Sequence, residues 1–194
     1  MQPSYRPILI VGPSGSGKTS VLSAALTACP RARRVVTATT RAPRAGERAG
    51  LDYWFMDGAS FEAGRASGRL IACGRDAATG ASYGVPVREL EDAACVPVLI
   101  LDPRGAIECL DRFPSAIAVY IDAPRDQRAA RIAARDGAGA KTLDRLADES
   151  GFEDFRDSRA ALVVGNPDGG FKGAVEALRN VIGGQCPHGG LISA

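Results

Sequence analysis

The first residues with evident chemistry are Gly12-Pro13-Ser14-Gly15-Ser16-Gly17-Lys18-Thr19, which fit the pattern GxxxxGK followed by Ser or Thr. Glycines let the backbone curl until successive N–H groups point at phosphate oxygens. Lys18 sets a positive charge against β- and γ-phosphates, and Thr19 offers a hydroxyl to Mg2+. The expected contacts to ATP are therefore Gly12, Ser14, Gly15, Ser16, Gly17, Lys18, Thr19 and Ser20. The competing reading is a glycine-rich turn without a ligand. The context argues against it, because an apolar strand-length run precedes the loop and a helix-forming run follows.

Asp102 is the second candidate. It follows the apolar run 96–101. A carboxylate at the C-terminal end of a central parallel strand faces the ligand crevice. It could hold Mg2+ through water or contact an acceptor. The alternative is an aspartate that starts a turn before Pro103.

These residues need a scaffold to position them. Strands are expected at 8–11, 34–37, 96–101, 116–121 and 161–164, with helices at 18–28, 105–112, 125–135, 141–159 and 171–182. That alternation predicts an α/β fold, a P-loop kinase-like central parallel sheet flanked by helices. The stretch 38–92 breaks the rhythm. Strands at 52–56, 69–73 and 82–84 around a short helix at 61–66 read as an inserted subdomain. The expected organisation is one domain over 1–182, with core segments 1–37, 93–130 and 157–182. Residues 183–194 read as a tail.

Composition narrows the function classes. The 194 residues, 45% of them hydrophobic, can bury one core. A net charge of +2 supplies no overall field for nucleic acid or a membrane, and neither is expected as a partner. Five cysteines without CxxC spacing argue against a disulfide framework or a zinc site, and fit a cytoplasmic compartment. His188, the only histidine, lies in the glycine-rich tail, so a His-based triad is not expected. The N-terminus does not read as a signal peptide, and no apolar run approaches the roughly 20 residues of a membrane helix.

A further segment is more specific. Thr39-Thr40-Arg41-Ala42-Pro43-Arg44-Ala45-Gly46-Glu47 is followed by Gly50-Leu51-Asp52-Tyr53-Trp54-Phe55. Together with the phosphate loop it resembles the guanylate kinase family, whose members carry TTRxPRxGExxGxDYxF after the first helix. The resemblance runs over 8–182 and is weakest between Gly137 and Asp168. It implies that Arg41, Arg44, Tyr53 and Tyr83 grip the phosphate of an acceptor. Guanidinium forks suit a phosphate dianion and phenol hydroxyls complete its shell. A solvated basic loop is the alternative for the arginines, and core packing for Tyr53.

The resemblance also implies a short lid at 131–156, whose arginines Arg131, Arg135 and Arg145 close over the transferring phosphate. Arg131 and Arg135 are four apart and share a helix face. Arg125 and Arg128 make the same stretch basic, so a solvated charged helix competes with this reading. Asn166 falls where the family places an asparagine near adenine.

The base site departs from the family. The glutamate that mainly reads guanine falls on Ala72, a hydroxyl residue falls on Val85, and an aspartate falls on Ile100. Only Thr37 keeps its hydroxyl. Two extra residues lie between Ala72 and Tyr83, and Asp76 could act as a substitute carboxylate. The expected protein is an ATP- and Mg2+-dependent kinase, monomer or homodimer. It would phosphorylate the phosphate of a nucleoside monophosphate or a nucleotide-like phosphomonoester, with a degraded guanine site. One alternative is a ribose 1,5-bisphosphate phosphokinase, a group that resembles this chain in that alanine and in its Tyr83-Gly84-Val85-Pro86 turn. The other is a non-catalytic guanylate kinase-like binding module.

Overall fold

Ile8–Val11 (β1) is buried at all four positions and occupies the middle of a five-stranded sheet. Its neighbours are Val96–Ile100 (β7) and Ile117–Asp122 (β8), with Ala32–Arg34 (β2) and Leu162–Gly165 (β9) at the edges. All four pairings are parallel. The chain is seen here as a computed structural model that describes residues 5–76, 79–91, 94–136 and 151–185.

Helices cover both faces of this sheet, which is why the central strands are apolar at successive positions rather than alternate ones. Ile8 and Ile10 pack on one face under Lys18–Leu26 (α1) and Phe171–Gly183 (α7). Leu9 and Val11 pack on the other, with Cys109 of Pro103–Arg112 (α4) and Phe155 of Phe152–Ser158 (α6). Arg125–Asp136 (α5) follows β8. The phosphate loop therefore leaves the C-terminal end of the central strand, where a parallel sheet has its ligand crevice. Among the described residues no helix is long and apolar enough to cross a membrane.

Between β2 and β7 the chain builds a second sheet. Its strands are Ala38–Thr39 (β3), Trp54–Phe55 (β4), Leu70–Arg75 (β5) and Ser82–Pro86 (β6), in the order β4–β3–β6–β5. Gly58–Ala66 (α2) packs Phe61 against Ala38 and Leu70, and its start is capped by Asp57, which accepts from the Ser60 N–H at 2.7 Å. A short helix, Val87–Leu90 (α3), leads back toward β7.

The expected strand at 34–37 is displaced to Ala32–Arg34. Val35 still donates its N–H to Val98 O at 2.9 Å, but beyond it the chain leaves the sheet. Thr37 O instead accepts from Trp54 N–H at 2.8 Å, so residues 35–37 bridge the two sheets. Charged Arg33 and Arg34 on an edge strand carry no apolar signal, which hid β2. The joint itself is held by Glu89, only 8% exposed. Its carboxylate accepts from Arg33 Nη1 at 2.6 Å and Trp54 Nε1 at 2.9 Å, and Arg88 stacks over the Trp54 ring.

The β5–β6 ladder pairs Ile71 with Val85 and then Gly74 with Tyr83, so one extra residue is accommodated in a bulge. Ala72 sits there at φ +49°, rare for a residue with a Cβ. Of the expected helix at 141–159, residues 151–159 are described, and they hold the helix Phe152–Ser158. Arg145, Cys186 and His188 lie outside the described residues.

Candidate functional site

The loop from Gly12 to Gly17 owes its shape to glycine. Gly12 lies at φ +152°, and a Cβ there would collide with the Ile121 carbonyl oxygen. α1 starts at Lys18 with no side-chain cap, which leaves its first N–H groups to a ligand. Ser16 Oγ is fully buried and has no hydrogen-bond partner among the described residues. An unpartnered buried hydroxyl costs about 1–3 kcal/mol. Such a group, inside a cradle of open N–H groups, fits a site built to be completed by phosphate.

A cleft of about 390 Å³ opens over the loop, lined by Ser14, Gly15, Gly17, Lys18, Thr19 and Ser20, with Arg131 and Arg135 of α5 across from them. Lys18 Nζ donates to Gly12 O at 2.6 Å and Pro13 O at 2.8 Å. Burial, then the charges of Arg128 and Arg135, push its pKa down to about 8. Its charge is therefore present below about pH 8 and lost above it. Polyphosphate favours the charged form, so affinity for ATP should fall about tenfold from pH 7 to pH 9. Calorimetric titrations across that range check this; a flat profile would show that Lys18 keeps its proton.

Arg131 Nη2 donates to Asp168 Oδ1 at 2.6 Å and Asn166 O at 3.0 Å. Asn166 is buried and donates from Nδ2 to Ser16 O at 2.8 Å. Its side chain thus braces the phosphate loop from β9. Arg128, which the competing reading of a solvated charged helix would expose, is only 5% exposed. Its Nε donates to Ala123 O at 3.0 Å. The signal that could have found it is spacing, since 128, 131 and 135 share one helix face.

The small sheet carries a second cluster. Arg41 sits over the Tyr53 ring at 5.4 Å, and Tyr53 lies edge-on to Tyr83 at 6.0 Å. Glu47 organises this cluster. It takes both Arg41 nitrogens, at 2.8 and 3.0 Å, and the Arg44 N–H at 2.7 Å. The hydrogen bond to Glu47, and then one to Tyr83, hold the Arg41 pKa above its usual value; the same Arg41 contact holds the Glu47 carboxyl below its own. Glu47 stood in the quoted segment, but no role was read for it. The Arg44 residue is exposed beside the cluster.

The base-site positions lie elsewhere on the same subdomain. Val85 is 1% exposed and packs into the core with Ile71. Ala72 Cβ faces Gly105 of α4, where a Cβ would lie 3.2 Å from it and 3.2 Å from Asp102 Oδ1. Asp102 caps α4, with Oδ1 accepting from Gly105 N–H at 2.6 Å. The turn-forming and ligand-facing readings of Asp102 are thus compatible, one oxygen serving the cap. Asp76 Oδ1 takes the Thr79 N–H and hydroxyl, each at 2.7 Å, within the β5–β6 hairpin. Among the described residues, no group of three or more His, Cys, Asp or Glu could hold a metal. Mg2+ fits this site as an ion carried by phosphates and the Thr19 hydroxyl, its usual mode, with any contact to Asp102 made through water.

Comparison with known proteins gives one consistent set of relatives. The family model for guanylate kinase matches residues 4–154. The chain is 30% identical over 184 residues to a guanylate kinase of Bordetella pertussis, covering 93% of this chain and 84% of that one. It is 35% identical over 122 residues to a guanylate kinase of Rubrobacter xylanophilus, covering 61% of this chain and 63% of that relative. Among solved structures, a guanylate kinase from Anaplasma phagocytophilum superposes with a TM-score of 0.65 at 25% identity, over 97% of this chain and 90% of that one.

Proposed function

The chain belongs to the guanylate kinase family, and we propose that it transfers the γ-phosphate of ATP to the phosphate of a nucleoside monophosphate or a nucleotide-like phosphomonoester. One observation supports this reading: a glycine loop with Lys18 and a separate Arg41–Tyr53–Tyr83 cluster supply two sets of groups suited to phosphate. In this reading residues 38–92 bind the acceptor and 131–156 form the lid. A cytoplasmic location, as monomer or homodimer, goes with it.

Arg41, Arg44, Tyr53 and Tyr83 would hold the acceptor phosphate so that one oxygen attacks the γ-phosphorus in line. The bond to the β–γ bridging oxygen breaks, and ADP leaves. Lys18 would exchange the Gly12 and Pro13 carbonyls for phosphate oxygens. Arg131, Arg135 and Arg145 would spread the charge on the moving group. Asn166 would support the loop and the adenine side. Mg2+, held through Thr19 and on the Asp102 side, would neutralise β- and γ-oxygens. Lid closure would exclude water and limit wasteful hydrolysis.

The acceptor's base is the open part of this reading. Ala72, Val85 and Ile100 offer no hydrogen-bonding side chain where the family reads guanine, so discrimination for GMP should be weak. The buried Val85 and the Ala72 bulge favour, as a second reading, an acceptor without a base, such as ribose 1,5-bisphosphate. The intact phosphate loop weighs against a non-catalytic binding module. Purified protein with ATP and Mg2+ should release ADP with at least one of GMP, dGMP, AMP, CMP, UMP, IMP or ribose 1,5-bisphosphate. No acceptor-dependent release with any of them would count against a kinase. Strong turnover with GMP alone would show that guanine is read without a carboxylate at position 72.

A further inference from the structure

We infer that Glu89 is a positioning residue, a buried strut that fixes the angle of the acceptor subdomain on the main sheet and so the aim of the acceptor phosphate at the γ-phosphorus. The inference rests on the reading that residues 38–92 hold the acceptor.

The chain passes between the two sheets twice. It leaves β2 for β3 through residues 35–37 and returns from β6 to β7 by way of α3. Glu89 sits on the return, and its carboxylate is shared between both sheets. Oε2 accepts from Arg33 Nη1 of β2 at 2.6 Å and lies 3.5 Å from the Val36 nitrogen, while Oε1 accepts from Trp54 Nε1 of β4 at 2.9 Å. Arg33 Nη2 also donates to Glu89 O at 3.0 Å. One side chain thus ties the edge of the main sheet, the return helix and the outer strand of the small sheet. The opposite edge of the small sheet, β5, rests on α4, where a Cβ on Gly105 would lie 3.2 Å from the Ala72 Cβ. The small sheet is therefore supported at both edges, by close packing on one and by hydrogen bonds on the other.

Trp54 carries the tie to the phosphate-gripping cluster. Side chains alternate along a strand. Tyr53 and Phe55 share one face, with ring centroids 5.9 Å apart and the Arg41 guanidinium over both rings. Trp54 lies on the other face, where its indole meets Glu89, Arg88 and the turn at Gly50, whose Cβ would lie 3.2 Å from the ring. A shift of the indole would carry Tyr53 with it. A buried ion pair is often no more stabilising than an apolar pair of the same volume. Apolar contacts lack direction, however, whereas hydrogen bonds set angle as well as separation. In-line attack needs both, since a misplacement of about 1 Å can cost about a hundredfold in rate.

Glu89→Gln keeps the shape but turns an NH2 group toward one of two donors, Arg33 or Trp54, and so cuts the strut at one end. Trp54→Phe cuts it at the indole and leaves the ion pair. Turnover is read with ATP and the most active acceptor of the panel above, below each variant's melting transition, where a role in stability alone leaves kcat unchanged. Each variant should lower kcat by about tenfold or more. The KM values for ATP and for the acceptor should each stay within about threefold, because the phosphate loop and the Arg41–Tyr53–Tyr83 cluster are untouched. The double variant should stay within about threefold of the slower single one, because both changes cut the same tie. If Glu89→Gln does not melt cooperatively, Trp54→Phe decides alone. A kcat within about threefold of wild type, a raised acceptor KM at unchanged kcat, or independent losses in the double variant would overturn the inference and leave the kinase reading intact. A wild-type protein inert toward every acceptor would instead overturn the kinase reading, and this inference with it.

Discussion

Lys18→Ala should lower phosphate transfer by about a thousandfold while leaving the fold intact. The ammonium is the one cation set inside the loop itself, and it already makes two short bonds to loop carbonyls. Transfer concentrates charge on the β–γ bridging oxygen, where a fixed cation in a partly desolvated cleft counts for more than in water. Stability should respond differently. Lys18 is a partly buried cation whose pKa is already pushed down to about 8, so its removal relieves a desolvation cost as it deletes two hydrogen bonds. A coupled ADP-release assay and a thermal melt separate the two effects. A residual rate within tenfold of wild type would remove Lys18 from the mechanism.

Gly12→Ala should act in the opposite manner, through the fold. At φ +152° a Cβ is strained in any surroundings, and here it would also meet the Ile121 carbonyl oxygen at the end of β8. Backbone strain of about 1–2 kcal/mol and overpacking of about 1–3 kcal/mol combine to a loss of about 2–5 kcal/mol. That is a large share of the roughly 5–15 kcal/mol that holds a domain together. The Gly12 carbonyl, which receives Lys18, would move with it. Urea denaturation should show a lower midpoint, and ATP binding should be lost even at temperatures where the variant is folded. An unchanged midpoint with normal ATP affinity would contradict the close packing of β1 on β8 at this point.

What was legible in the sequence follows from how local each constraint is. The strands β1, β7 and β8 were readable because both faces are covered, which forces continuous apolar runs. The loop was readable because its backbone demands glycines at set intervals next to a lysine. The Arg41–Tyr53–Tyr83 cluster was reached only through a resemblance, since no periodicity brings residues 41 and 83 together. β2 was misplaced because an edge strand can be charged. β3 and α3 were missed because two and four residues carry no pattern.

Other features came from pairing and burial rather than residue type. The bulge at Ala72 is a matter of register between β5 and β6, so an extra residue in the sequence did not say where the chain would absorb it. Asp76, a possible stand-in for a missing carboxylate by type, is engaged with Thr79 in its own hairpin.

By itself the sequence determined an α/β scaffold and a phosphate loop at the end of its central strand. These depend on neighbours within a few positions, through backbone dihedrals and side-chain periodicity. Tertiary structure decided which charges are solvated and which are structural. Arg128 meets Ser14 across 114 positions, and Asn166 meets Ser16 across 150. Desolvation depends on everything packed around a group, so Arg128, one of several arginines in a basic run of the linear chain, is buried beside the phosphate loop.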